Sequence, residues 1–517
     1  MKGKLYLRQM HVYSRFSILI LGVVFFVAQA HAQFEQVAVD GGLISGTVEP
    51  QGDIHVFKGI PFAAPPVGVL RWREPQPVLS WAGVRKCDSF GPSPMQGKPV
   101  PFSMWSQEFL IPASPISEDC LYLNIWTGAK SAGERRPVLV WIYGGGFVSG
   151  GSGVPIYDGA AMARKGVIFV SINYRVGIFG FFAHPELSLE SGHHASGNYG
   201  LLDQIAALKW VQKNIGAFGG DPENVTIAGQ SAGSMSVNCL VASPLAKGLF
   251  EKAIGQSGAM FVGEMTSLLD AENAGQKTME ELKAESVKDL RAMPAEELMK
   301  RAQGTFRPIV DGYVLPDAVV NIFKAGKENK VGLLTGWTKD EVAPAIKNAR
   351  GYEQEVGARY DGDSAAVLEL YPASTDSEAA VSQRRLARDE IIGVHNYAWA
   401  NLESDQGQRV FVYRFTRKPP ATGVYVKYGA FHTADVPYAF DNLRFVNRPW
   451  QPVDDTLAEV MSSYWANFVR TGDPNGAGLP HWPRYTTADK LIMVLGDKQE
   501  SESIPDSGEL DFLYNRR

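Results

Sequence analysis

The stretch Val225-Thr226-Ile227-Ala228-Gly229-Gln230-Ser231-Ala232-Gly233-Ser234-Met235-Ser236-Val237 decides the fold. A short β-branched and apolar run stops at Gly229, and small residues then carry the chain into an apolar-periodic segment. This reads as strand, tight turn and helix, with Ser231 at the tip. Gly229 and Gly233 flank the serine in a G-x-S-x-G pattern, because a Cβ at either flank would clash with the neighbouring strand or helix. The turn forces strained backbone angles on Ser231 and leaves its hydroxyl exposed at the top of a sheet. The helix that starts beside it aims free N–H groups and its positive dipole end at any anion formed there. In a chain with 53 glycines the pattern alone is weak evidence, so its partners must be found elsewhere.

Upstream, Pro137 to Tyr143 is a near-continuous apolar strand ending in Gly144-Gly145-Gly146-Phe147. Three glycines strip the backbone of side chains, so its N–H groups can approach a ligand oxygen closely, as an oxyanion hole requires. Val37 to Phe57 alternates and suggests an antiparallel meander. Glu118 to Trp126 leads into a strand, Val167 to Asn173 is another, and Gly200 to Ile215 is an apolar-striped helix. Downstream, Gly263 to Gln303 turns helical and charged, and Val331 to Thr335 returns as a strand. Strands alternating with helices predict an α/β fold with a mostly parallel sheet.

A serine hydroxyl needs a base, and histidine serves at neutral pH. In folds built on this elbow the base follows the acid along the chain, which leaves His395, His432 and His481. His395 falls in a helix-like stretch, and His481 sits in a Pro- and Trp-bounded turn. His432 lies in a loop of small residues, Gly429-Ala430-Phe431-His432-Thr433-Ala434-Asp435, which can reach the elbow without breaking an element. The acid that orients the imidazole should follow a strand. Asp340 and Glu341, just after Val331 to Thr335, both qualify, and the residues alone do not separate them.

Together these segments resemble the type-B carboxylesterase family, the group that includes cholinesterases and bacterial para-nitrobenzyl-type esterases. The resemblance runs through Phe57 to Pro66, Glu118 to Trp126, Trp141 to Phe147, Asn198 to Pro222, Gly229 to Gly233, Thr338 to Glu341 and Gly429 to Phe440. It implies an α/β-hydrolase fold and hydrolysis of small-molecule carboxylic esters through an acyl-enzyme, without metal or organic cofactor. It carries over Ser231 as nucleophile, Glu341 rather than Asp340 as acid, His432 as base, and the N–H groups of Gly145, Gly146 and Ala232 as oxyanion donors. Ser257 matches a serine that supports the acid, and Cys87 with Cys120 matches the first disulfide of the family. Gln230 stands beside the nucleophile where many members carry Glu, which makes a preference for cationic substrates less expected. Asp435 stands where Glu is common. Phe102, Trp105 and Trp126 read either as a ring-accommodating gorge or as core. A feruloyl-type aromatic esterase is one alternative; a non-catalytic adhesion or binding ectodomain, a role other members of this fold play, is another.

Met1 to Ala32 has a basic start, an apolar run from Ser17 to Ala28, and Ala30-His31-Ala32 as a cleavage site, the build of a secretory signal. Residues 33–517 are then expected as one α/β-hydrolase domain, exported to the periplasm or the medium, with no stable membrane association and the monomer as default. Export would also favour pairing of Cys87 with Cys120, leaving Cys239 as a buried thiol. Hydrophobic residues make up 45% of the chain and charged ones 20%, enough for a substantial core. A net charge of −5 without basic clusters argues against nucleic acid as a partner.

Overall fold

The structure, a computed structural model, describes residues 34–261 and 263–516; the expected signal segment, residues 1–32, lies outside them. Its centre is an 11-stranded sheet. In chain order the strands are β1 (Thr47–Val48), β2 (His55–Pro61), β3 (Tyr122–Thr127), β4 (Arg136–Ile142), β5 (Ile168–Ile172), β6 (Gly220–Gln230), β7 (Lys252–Gln256), β8 (Gly332–Thr338), β9 (Val410–Phe415), β10 (Leu491–Leu495) and β11 (Gln499–Ser503). Across the sheet they lie in the order β11-β10-β9-β8-β7-β6-β4-β5-β3-β2-β1. Every pairing from β5 through β4 to β10 is parallel, whereas β1, β2, β3 and β11 pair antiparallel. The parallel strands read as apolar runs because helices cover both faces. The side chains of Val138 to Ile142, Ile168 to Val170 and Val225 to Ala228 are all essentially inaccessible to solvent.

The chain leaves β4 for β5 on one side and takes β6 on the other. Ligands of open parallel sheets bind outside the carboxyl ends of strands at such a reversal. The helix α1 (Tyr199–Asn214) precedes β6 and α2 (Ala232–Ala242) follows it, so the expected strand–turn–helix unit is present. The charged excursion forms helices Leu268–Leu282, Val287–Ala292 and Ala295–Arg301. It closes over a satellite core of Trp72, Phe179, Phe182, Leu290 and Leu298.

The expected Cys87–Cys120 bond is overturned. Among the described residues Cys87, Cys120 and Cys239 are all free, buried thiols. The Cys87 carbonyl accepts the Lys58 N–H, while the Leu121 carbonyl, next to Cys120, accepts the Phe62 N–H. The two cysteines thus lie against different positions along the β2 segment. Met95, not Cys87, shares a cleft with Cys120. Burial pushes the Cys87 thiol up to about 11 and the Cys120 thiol well above its ordinary value.

One buried acid makes folding sensitive to pH at neutral and mildly alkaline values. Glu403, on the helix Val394–Asp405, is fully buried, and neither carboxyl oxygen has a hydrogen-bond partner among the described residues. Burial, reinforced by nearby Glu328, pushes it up to about 8; the charge of Lys330 opposes this without prevailing. The folded state therefore holds a proton that the unfolded chain, with an ordinary Glu pKa of about 4.3, releases earlier. Stability from this group is full below the unfolded value and is lost as pH rises toward the folded one. Glu403→Gln is expected to gain roughly 3 kcal/mol relative to the wild type between pH 5 and pH 8. Parallel urea denaturation at the two pH values measures the difference; an equal effect at both would contradict it.

Candidate active site

The carboxyl ends of β4, β6 and β8 bring the expected residues together. β6 ends at Gln230, and Ser231 caps α2 with φ 58° and ψ −125°. Its N–H donates to the Gln256 carbonyl at 2.9 Å, tying the elbow to the end of β7. The sharp turn draws α2 down onto β4: a Cβ on Gly233 would stand 2.0 Å from the Ile142 carbonyl oxygen. The hydroxyl of Ser231 lies 2.7 Å from His432 Nε2.

His432 is held by hydrogen bonds from several directions. Its Nδ1 meets Glu341 Oε2 in a short hydrogen bond. Its carbonyl accepts from Gln230 Nε2 at 2.7 Å. Asp340, the competing acid, accepts the Ala430 N–H at 2.8 Å and returns its own N–H to the Ala430 carbonyl at 3.0 Å. It therefore pins the loop and does not reach the imidazole. Asp435 anchors the far side, taking hydrogen bonds from the Tyr413 hydroxyl at 2.6 Å and Gln256 Nε2 at 3.0 Å. Its burial raises the carboxyl to about 6 against the pull of those two donors.

Glu341 is 1% exposed, so its charge must be met by protein donors. Besides the imidazole, Oε1 takes the Ser257 hydroxyl at 2.7 Å and the Thr338 N–H at 2.6 Å. Ser257, at φ 54°, is itself fixed by its N–H to the Gly336 carbonyl. The other two histidines stand elsewhere. His395 is buried on its helix with Nδ1 accepting the Phe261 N–H, and His481 is exposed.

After β4 the chain turns through Gly144, Gly145 and Gly146. Gly145 has φ 123°, and a Cβ there would stand 2.1 Å from the Ser149 carbonyl oxygen, so the turn requires glycine. Its carbonyl is tied down by the N–H groups of Val148 and Ser149. Among the described residues no N–H of Gly145, Gly146 or Ala232 donates to a protein acceptor. Gln96 braces this turn, donating Nε2 to the Gly150 carbonyl and accepting the Gly150 N–H.

Ser231, His432 and the glycine turn line one cavity of about 630 Å³. Much of its wall comes from the 96–111 segment. Phe102 and Trp105 belong to that wall, whereas Trp126 is fully buried core. Trp105 stands edge-on to the imidazole, 6.4 Å between centroids, and donates its indole N–H to Thr433 Oγ1 at 2.8 Å. The roles of Trp105 toward Thr433 and of Asp340 toward Ala430 had no sequence signal, because each pair meets only after folding. Tyr157, 6% exposed, also lines the cavity, and its hydroxyl has no hydrogen-bond partner among the described residues.

A serine elbow on a mostly parallel sheet, a histidine within hydrogen-bond reach of the hydroxyl and a buried acid behind it define an α/β-hydrolase. The sequence profile of the Carboxylesterase family matches residues 33–513. The chain belongs to that family and is a hydrolase of carboxylic ester bonds. It is similar to the fumonisin B1 esterase of Sphingopyxis macrogoltabida, 37% identical over 484 residues, covering 88% of this chain and 86% of that protein. It is 34% identical over 516 residues to the para-nitrobenzyl esterase of Bacillus subtilis (strain 168), covering 92% and 97%. Rat carboxylesterase 1D is 33% identical over 519 residues, covering 90% and 88%.

Proposed function

We propose that Ser231, His432 and Glu341 form the catalytic triad, with the N–H groups of Gly145, Gly146 and Ala232 as the oxyanion hole. The observation that carries this is the continuous hydrogen-bond line from Glu341 through His432 to Ser231, opening on the cavity. His432 takes the proton of Ser231 as the oxygen attacks the ester carbonyl. The oxyanion then takes up donors that have no other protein acceptor, where loss of one such donor typically costs about a hundredfold or more in rate. His432 returns the proton to the leaving alcohol, then takes one from water as water attacks the acyl-enzyme. Glu341 holds the imidazole in the tautomer that presents Nε2 to the serine and balances its positive charge. Ser257 and Gln230 keep acid and base in register.

The folded protein is expected to hydrolyse p-nitrophenyl acetate and butyrate, and paraoxon to add one diethylphosphoryl group to the peptide that carries Ser231. No turnover and no adduct would instead favour a binding ectodomain. The rings of Phe102 and Trp105 on the wall favour an aromatic group in the substrate, which a feruloyl ester would supply. For its part, the chain is made as a precursor cut after Ala32 and acts outside the cytoplasm as a monomer. The composition of residues 1–32 supports export, and no described helix is long and apolar enough to cross a membrane. The N-terminal sequence of protein recovered from the periplasm or medium checks it.

Trp105 is a positioning residue on this reading. Trp105→Phe keeps the ring and removes the donor to Thr433, and kcat is expected to fall about tenfold, the size of one hydrogen bond. KM for a small acetate ester should stay within about twofold, and Thr433→Val should reproduce the loss without adding to it. Steady-state kinetics of the two single variants and the double variant decide the point.

A further inference from the structure

The cavity wall is unevenly charged. Val100, Phe102, Phe109, Ile111 and Val154 make much of it apolar, and among the described residues no carboxylate lines it. Beside the nucleophile stands the neutral Gln230, whose amide donates to the His432 carbonyl, and Tyr157 adds only a neutral hydroxyl. Apart from His432, Lys98 is the one Lys, Arg, Asp or Glu on the wall among the described residues. It is exposed and has no ion-pair partner among the described residues. Glu108, an acid of the same segment, accepts the Asn447 N–H and faces Arg448. Glu341 and Asp435 are buried; Glu341 Oε1 accepts from Ser257 and Thr338, and Asp435 Oδ2 accepts from Tyr413 and Gln256.

An uncompensated ammonium beside low-dielectric walls focuses a positive field into the cleft. We infer that the cavity selects esters carrying an ionised carboxylate away from the scissile bond, with Lys98 as its counter-ion. This rests on the triad reading, which puts the scissile carbonyl at Ser231. The four-carbon stem of lysine lets the ammonium follow a carboxylate on either the acyl or the alcohol side. Because Lys98 is exposed, the effect is modest and sensitive to salt.

Two matched pairs of esters test it. 4-Acetoxybenzoate and 4-acetoxybenzamide share scissile bond and ring and differ in charge on the alcohol side. Mono-p-nitrophenyl adipate and the p-nitrophenyl ester of adipamic acid place the same difference on the acyl side, and the amide adds no second ester to cleave. In at least one pair the anion is expected to have a kcat/KM about fivefold above the neutral ester at low salt, mainly through KM, and the ratio to fall in about 0.5 M NaCl. Lys98→Met should bring the ratio toward one, and Lys98→Glu should invert it. A ratio that is the same in wild type and both variants, or a wild-type preference for the neutral ester in both pairs, overturns the inference while leaving the triad intact. No turnover of any of the four esters would overturn the triad, and the inference with it.

Discussion

Replacing Ser231 with Ala is expected to lower kcat for p-nitrophenyl butyrate by about ten-thousandfold or more, with the thermal midpoint almost unchanged. The hydroxyl makes one hydrogen bond, 2.7 Å to His432 Nε2, at the edge of an open cavity. Removing it leaves an imidazole nitrogen that water can satisfy, so folding loses little. Alanine also keeps the Cβ that the backbone at φ 58° already accommodates, so the strain of the elbow is unchanged. On the proposed triad, chemistry loses the atom that would bond to the acyl carbon. What would remain is the set of amides of Gly145, Gly146 and Ala232 proposed to face the oxyanion, and in triad hydrolases such a remnant supports only a small residual rate. Active-site titration and thermal melts on the same preparation separate the two effects. More than about one per cent residual turnover, beyond contaminating wild type, would place the nucleophile elsewhere.

Gly233→Ala is expected to be the most damaging single methyl addition near the site. Alanine is favoured over glycine inside a helix by about 1 kcal/mol, and on propensity alone the substitution would stabilise α2. Sterics decide otherwise. The added Cβ would stand 2.0 Å from the Ile142 carbonyl oxygen and 2.8 Å from the Tyr143 carbonyl carbon, both backbone atoms of a central strand and its exit. Neither can move without displacing β4 or α2. A loss of about 3 kcal/mol or more is expected, and any folded remainder should show kcat reduced beyond KM, because β4 carries the glycine turn. Denaturant titration and kinetics at low temperature measure both. A variant with wild-type stability would mean that the helix can lift off the strand at little cost.

The parts of the fold that could be read ahead are those in which residue type alone dictates backbone shape. A β-branched run ending in Gly229, a serine and a second glycine has few other uses, and Gly144 to Gly146 after an apolar strand similarly exposes bare amides. His432 could be chosen by elimination, since a helix or a rigid turn would have held His395 or His481 in place. The acid was different. Asp340 and Glu341 are adjacent in an irregular turn, and one meets the amide of Ala430 while the other meets the imidazole. Which one does which depends on a local backbone path that residue type does not encode; only the family resemblance pointed to Glu341. The disulfide failed for a related reason: spacing along the chain says nothing about where each cysteine lands along β2. Trp105 and Trp126 had equal standing as gorge or core, and only strand register, which turns Trp126 inward, divides them.

The hydrogen bond from the Trp105 indole to Thr433 has a consequence for how this enzyme can diversify. The segment that shapes the entrance also grips the residue next to His432, so on the proposed triad new specificities cannot arise by grafting an arbitrary rim onto a constant reactive centre. A replacement segment that selects a different ester but lacks a donor at that point would be paid for in turnover. Laboratory evolution of the 96–111 region should therefore return sequences varied at positions 98, 100 and 102 and nearly invariant at 105.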